Sequence, residues 1–141
     1  MNPSNVLNVY KKVEKSGNLV KSPYEIVKVI LNELQRNIHL MILEIDKKKA
    51  FIISRKFNEV KNCQKSISKY LVRCITTIYS LQTSLDFEKG GTIATNLFQL
   101  YEFCRTQVID SFSRSNNEGL KKSYDALSQI ITAWETMEIE K

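Results

Sequence analysis

The side chains that could do chemistry are few and scattered along this 141-residue chain. His39 is its only histidine, and no motif places a serine or cysteine beside it as a nucleophile. Glu44 and Asp46 are two residues apart, so on a helix they point to different sides. HExxH, GxSxG and Walker motifs are all absent from the sequence. We therefore expect no enzymatic activity and no cofactor, with His39 as a partly buried structural residue.

Metal and redox chemistry have no sequence support either. Cys63, Cys74 and Cys104 are an odd number of cysteines without a CxxC pair, so they predict neither a zinc site nor a disulfide framework. Free buried thiols in a reducing cytosol fit this pattern. Glu33 could face inward on a helix, but it lacks the Glu-x-x-His partner of di-iron bundles. We expect no metal ion and a cytoplasmic location.

Paired glycines at positions 90 and 91 could cradle a phosphate at the start of a helix. Asp86 and Glu88 stand just before them and would repel an anion. The sequence therefore favours a tight turn between two helices at Gly90-Gly91 over a phosphate site.

Positive charge is concentrated in the first part of the chain. Residues 1–84 hold 15 basic and 6 acidic side chains, whereas residues 85–141 hold 6 and 9. Lys61, Lys65 and Lys69 recur every four residues and form one basic stripe on a helix. This stripe could follow a nucleic-acid backbone, face solvent, or dock an acidic partner. No known nucleic-acid-binding module accompanies it, which favours the last two interpretations.

Four amphipathic helices must position these residues. Ser22, Pro23 and Glu25 form a capping box with proline at the first helical position, and apolar residues at helical spacing carry this first helix to about residue 47. Residues 47–49 are either its end or a solvated stripe within it. The spacing predicts a second helix over 60–85 with Gln64 breaking its seam, a loop over 85–91 and a third helix over 93–112. A fourth helix follows a capping box at 115–118, and Met137 and the polar tail end it.

The 4 glycines and 2 prolines leave little material for many short strands. We therefore predict an all-α fold, an antiparallel up-down four-helix bundle. A single domain would fill residues 1–141, with a flexible N-terminal segment over 1–21 and the bundle over 22–138. The densest apolar run, residues 38–45, is far shorter than the ~20 residues of a membrane span.

The segment 84–101 resembles the signature of the flagellar export chaperone family FliS. The matching positions are Leu85-Asp86, Glu88, Gly90-Gly91, Ala94, Leu97 and Leu100-Tyr101. Three further stretches resemble family positions in the same order: Asn8-Val9-Tyr10, Ser22-Pro23 with Ile26, and Asn116 with Leu120 and Ala133-Trp134.

This resemblance implies a cytosolic chaperone for flagellar type III export. Such a protein binds the disordered C-terminal region of flagellin in apolar surface grooves, which prevents premature polymerisation and aids secretion. Tyr10 would lie on an N-terminal lid over the groove. Further candidate partners are an export-gate protein, other flagellar proteins and a second copy of the chain. A chaperone of this kind is expected to bind no nucleic acid and to insert into no membrane. The alternative function is a basic nucleic-acid-binding module or a general protein-interaction module. The candidate partner-binding residues are Tyr10, Ile30, Leu31, Leu34, Leu85, Leu97, Leu100 and Tyr101.

The chain also departs from the family pattern. Glu33 stands where the family usually has a glycine in the first helix. The stretch 43–62 is longer than usual by roughly a dozen residues, which at ~1.5 Å per residue lengthens the first helical hairpin by one to two turns on each side.

More apolar residues are present than a four-helix core needs. Deep burial, a dimer contact and a client groove are the three interpretations of this surplus, which comprises Val27, Leu31, Met41, Ile42, Leu43, Phe98, Phe103 and Ile109.

Overall fold

The structure of this protein is a computed structural model, and it describes residues 22–139, with side chains as far as residue 136. The predictions for Tyr10 and for the N-terminal segment over 1–21 lie outside the described residues. Four helices follow in order: α1 (Pro23–Ile53), α2 (Phe57–Thr83), α3 (Phe87–Arg114) and α4 (Glu118–Ile139).

The first helix begins as predicted and ends later than predicted. Ser22 Oγ accepts a hydrogen bond from the Glu25 backbone N–H at 3.2 Å. The predicted end near residue 47 was wrong, because α1 runs on to Ile53. Lysine is a good helix former, so the run 47–49 stays helical and lies within α1. The chain then turns at Arg55, whose φ of 58° is left-handed.

The predicted loop over 85–91 was wrong for most of its length. Asp86 caps α3, since its Oδ1 accepts from the backbone N–H groups of Glu88 at 3.1 Å and Lys89 at 3.0 Å. One helical turn then precedes Gly91, where φ 50° and ψ −125° kink the helix. At the next turn, Asn116 Oδ1 rather than a serine caps α4 by accepting from Glu118 N at 2.8 Å.

Neighbouring helices form a closed ring: α1 packs on α2 and α4, and α3 packs on the same two helices. Short connections between consecutive helices make them antiparallel. The predicted all-α four-helix bundle is confirmed. Each fully buried aliphatic side chain contributes roughly 1.5–3 kcal/mol through its removal from water. The centre of the core is formed by Leu31, Leu34, Ile38, Met41, Ile45, Ile78, Tyr101, Val108, Leu120 and Leu127.

The three thiols are buried and unpaired, as predicted. Burial raises the pKa of Cys74 to about 12 and that of Cys104 to about 11. The pKa of Cys63 is also raised, first by burial and then by a hydrogen bond with Glu44. Because the thiolate is the reactive form, these cysteines are unreactive near neutral pH.

The polar candidates for chemistry lie at the surface. The prediction that His39 is partly buried was wrong, because this residue lies on the exposed side of α1, where its ring centroid is 6.0 Å from that of Tyr124. Glu33 does not point inward but pairs with Arg36 at 3.2 Å. Within residues 22–139 no His, Cys, Asp or Glu cluster is placed to hold a metal ion. None of the four described helices combines the length and apolar character that crossing a bilayer requires.

The α1–α2 hairpin projects beyond the turn between α3 and α4. Asn117 Nδ2 ties that turn to α1 through the Ile42 carbonyl at 3.1 Å and Asp46 Oδ1 at 2.6 Å. Lys48 Nζ reaches the same turn at Ser115 Oγ, 3.2 Å away. From Lys48, α1 continues to Ile53, a further ~8 Å at the usual helical rise. The hairpin is therefore longer than the rest of the bundle, as the length of the stretch 43–62 predicts.

Candidate partner-binding groove

One end of the bundle carries a groove of about 840 Å³ to which all four helices contribute. It lies between the start of α1, the end of α2, the start of α3 and the end of α4, and most of its side chains are apolar. We call it the apolar groove. Its apolar and aromatic lining consists of Pro23, Tyr24, Val27, Leu81, Leu85, Ile93, Ala94, Leu97, Tyr101 and Trp134.

One wall of the apolar groove is an aromatic pair that joins α1 to α4. The rings of Tyr24 and Trp134 stack with centroids 4.5 Å apart and an angle of 22° between their planes. Trp134 Nε1 also donates a hydrogen bond to the Tyr24 carbonyl at 2.8 Å. Stacking of this kind contributes about 0.5–1.5 kcal/mol beyond area burial. Stacking and the hydrogen bond thus hold this aromatic wall together through contacts within the chain itself.

Two glycines shape the first turns of α3 beside the groove, and of the two only Gly90 is part of the lining. A Cβ at Gly90 would lie 2.8 Å from the Ala94 Cβ, so the helix leaves no room for a larger residue there. A Cβ at Gly91 would meet nothing within 4 Å, but the φ of 50° at this residue strains any other side chain. Phe87 packs back on Phe98 with ring centroids 6.0 Å apart and steadies the first turn of α3.

The groove surface is largely uncharged. Burial raises the pKa of Tyr101 to about 12, so its hydroxyl stays neutral across physiological pH. Asp86 and Lys89 supply the charged side chains of the lining, and the Asp86 carboxylate already accepts two backbone N–H groups. These hydrogen bonds use backbone N–H groups at the start of α3, where the sequence presents a phosphate site as the alternative to a turn. The lining suits an apolar side chain better than an anion.

A hydrogen-bonded cluster on the outer side joins α2 and α3. Glu102 is paired with Arg105, and Gln82 Nε2 donates to the Glu102 carboxylate at 3.0 Å. The hydrogen bonds from Arg105 and Gln82 lower the pKa of Glu102 to about 2. These contacts are structural and lie outside the groove lining.

The predicted partner-binding residues divide into three groups. Leu85, Leu97 and Tyr101 line the apolar groove, Tyr101 as a buried part of its floor. Leu100 is half-buried and lies outside the lining. The remaining described residues, Ile30, Leu31 and Leu34, are in the hydrophobic core.

The sequence prediction missed several groove residues. Ile93 lies at the start of the predicted third helix, and it is 68% exposed and lines the groove. Trp134 lies near the end of the predicted fourth helix and forms a groove wall. A signal did exist for Val27, which belongs to the apolar surplus of the first helix. Of that surplus, Leu31, Met41 and Ile42 are buried, whereas Leu43, Phe98, Phe103 and Ile109 are exposed.

Comparison with known proteins gives a consistent result. The chain matches the family described as "Flagellar protein FliS" over residues 6–141. It is similar to the flagellar secretion chaperone FliS of Salmonella typhimurium strain LT2, with 37% identity over 54 residues that span 38% of this chain and 40% of that protein. It is also similar to the flagellar secretion chaperone FliS of Vibrio cholerae El Tor, with 32% identity over 65 residues that span 46% of this chain and 48% of that protein. These alignments thus span less than half the length of either relative, and no solved structure matches the chain. Because the family match covers nearly the whole sequence, the chain belongs to the FliS family of flagellar proteins.

Proposed function

We propose that this chain is a flagellar secretion chaperone that binds the disordered C-terminal region of flagellin in the bacterial cytosol. Binding would prevent premature polymerisation and aid secretion. The observation that carries the proposal is the apolar groove, a preformed and largely uncharged surface across one end of the bundle. The two relatives named flagellar secretion chaperones support it.

The groove has the properties that a folding-on-binding client needs. A disordered segment loses conformational entropy when it orders, so buried apolar area must offset that loss. Ile93 is 68% exposed at the groove, and full burial of such a side chain yields about 1.5–3 kcal/mol. Trp134 and Tyr24 add rigid aromatic surface, the residue types that dominate binding energy at interfaces. An amphipathic client helix fits this combination.

We assign client contact to Leu85, Leu97 and Tyr101, which line the groove. The buried residues Ile30, Leu31 and Leu34 hold α1 in the position that shapes it. The segment before Ser22, including Tyr10, is proposed as the displaceable lid and as a contact for the export gate.

Calorimetric titration with a C-terminal flagellin peptide from the same organism tests the proposal. We expect saturable binding of one peptide per chain with a negative heat-capacity change, because apolar surface is buried. Circular dichroism of the mixture should show more helix than the sum of the separate components. Absence of binding, both to the full chain and to a chain lacking residues 1–21, would contradict the flagellin assignment.

A matched pair of substitutions locates the site. Ile93→Ser removes an exposed apolar side chain at the groove, and Ile53→Ser removes one at the far end of the bundle. We expect Ile93→Ser to weaken peptide binding about tenfold, as the loss of one buried aliphatic contact implies. Ile53→Ser should leave it unchanged. Equal effects of the two substitutions would show that the peptide does not bind in the apolar groove.

A further inference from the structure

The projecting end of the α1–α2 hairpin exposes a cluster of large apolar side chains. Ile53 is 84% exposed, Phe57 is 61% exposed and Ile52 is 47% exposed. They lie within the last turn of α1 and the first residue of α2. We call these three residues the apolar tip. It lies at the opposite end of α1 from the apolar groove, so flagellin binding in the groove does not account for it.

Positive charge surrounds the apolar tip. Residues 47–61 contain six basic side chains and a single acidic one, Glu59. Lys47 is paired with Glu44 at 3.3 Å, and Lys48 is bonded to Gln64 at 2.8 Å. The other four are exposed, and we call them the basic collar: Lys49, Arg55, Lys56 and Lys61.

The turn itself adds hydrogen-bond donors to this charge. Lys56 stands at the N-cap position of α2 and makes no side-chain capping bond. The first backbone N–H groups of α2 therefore receive no bond from the N-cap side chain, and such groups at a helix start favour anionic oxygen atoms.

The combination favours one kind of partner. A second copy of the same tip would bring two basic collars together, which like-charge repulsion opposes. A nucleic acid would use the collar and could stack a base on Phe57, but it would gain nothing from the two isoleucines, which are the greater part of the tip. A protein partner would need a pocket shaped to this convex tip, whereas a lipid surface deforms around it. An anionic bilayer takes the charge in its headgroups and the apolar side chains below them.

We propose that the hairpin end is a peripheral membrane-docking element, in which the apolar tip enters the interface of an anionic lipid bilayer and the basic collar contacts the headgroups. The hairpin passes the α3–α4 turn by ~8 Å, which matches the depth of about 5–10 Å that interfacial side chains reach. Three side chains enter the interface and no segment spans it. The contact is thus much shallower than a membrane span, for which the apolar run 38–45 is too short.

Co-sedimentation of the full chain with lipid vesicles tests this proposal. One set of vesicles contains phosphatidylcholine alone, and the other contains phosphatidylcholine mixed with phosphatidylglycerol. We expect the chain to sediment with the anionic vesicles and to remain in solution with the neutral ones. Added salt should weaken the binding, because it screens the basic collar. A Phe57→Trp variant should show a blue shift in tryptophan emission when anionic vesicles are added.

Substitutions at the hairpin end separate the apolar from the electrostatic contribution. Ile53→Ser and Phe57→Ser should each weaken binding about tenfold, through loss of one buried side chain. The double variant Arg55→Glu/Lys56→Glu should weaken it by at least roughly 30-fold, the factor that two basic residues near an anionic surface together contribute. Thermal melting should show that all of these variants fold, because the residues are exposed.

Two control variants share the chemistry of the substitutions but lie elsewhere. Val72→Ser changes an exposed aliphatic residue of α2, and Lys121→Glu changes an exposed basic residue of α4. Neither should alter vesicle binding beyond about twofold. Wild-type protein that stays in solution with both vesicle types would overturn the proposal. Vesicle binding that persists in the tip variants would also overturn it. The same holds if the tip substitutions reduce binding to an acidic peptide or to DNA and leave vesicle binding unchanged. Peptide titration of Ile53→Ser distinguishes these outcomes from failure of the chaperone proposal.

Discussion

Replacement of Gly91 by alanine isolates the backbone conformation at the kink of α3, next to the groove residue Gly90. The φ of 50° and ψ of −125° at this residue lie in a region that residues with a Cβ rarely adopt. A Cβ added there meets no atom within 4 Å. The substitution therefore causes no steric clash and creates no cavity, so its effect on stability comes from backbone strain and from the unfolded chain.

The magnitude follows from two opposing contributions. A residue held in a sparsely populated region costs about 1–3 kcal/mol, whereas alanine in place of glycine restricts the unfolded chain and returns about 0.4–1 kcal/mol. We expect Gly91→Ala to lower the free energy of unfolding by about 1–2 kcal/mol. If the strain is relieved by straightening α3, the turn from Asp86 to Gly90 shifts, and peptide binding in the apolar groove weakens as well.

Urea unfolding followed by circular dichroism measures this change, with the midpoint expected to fall and the slope to stay constant. Thr92→Ala is the matched control, because it alters the neighbouring exposed residue without changing the backbone requirement. It should shift stability by less than ~0.5 kcal/mol. If Gly91→Ala is as stable as the wild type or more stable, Gly91 does not hold a positive φ in the native protein, and α3 has no kink at this residue.

Three further substitutions test other parts of the structure. Trp134→Phe keeps an aromatic ring but removes the hydrogen bond to the Tyr24 carbonyl, so urea unfolding should show a loss of about 1 kcal/mol and titration should show weaker peptide binding. Asn117→Ala removes the two bonds that tie the α3–α4 turn to α1, and it should cost about 1–3 kcal/mol by the same unfolding assay. Burial raises the pKa of Tyr101 in the folded protein from 10.0 to about 12. The contribution of its neutral hydroxyl to the free energy of unfolding is therefore complete below pH 10 and is lost as the pH rises to about 12. This loss is about 2–3 kcal/mol, and Tyr101→Phe should remove that part of the alkaline pH dependence; an unchanged profile would contradict the assignment.

The sequence was sufficient for the architecture because each helix carries its own local signals. The predicted cap at Ser22 forms, with its hydroxyl accepting from the Glu25 backbone N–H, and the apolar spacing of each helix matches a buried face. The errors of the sequence prediction lie at the helix ends. The end of α1 was misplaced because three lysines do not stop a helix, and only the left-handed Arg55 turns the chain. Paired glycines are typical of turns and so predict a loop over the stretch 87–91, whereas in the structure one of them kinks a helix that Asp86 has already started.

Assignment of residues to core or groove depended on the tertiary structure. Leu34 and Leu97 look alike in sequence, yet one is in the core and the other lines the groove. Ile93 fits the inner-face pattern of α3, but the kink at Gly91 and the end of the bundle leave it exposed.

The sequence by itself determined the helix count, the bundle class, the free thiols and the family signature, because these depend on periodicity and on residue types at fixed spacing. Only the tertiary structure decided which apolar side chains remain uncovered at the two ends of the bundle. That outcome depends on where the four helices begin and end relative to one another. Uneven helix ends leave the apolar groove open at one end and the apolar tip projecting at the other.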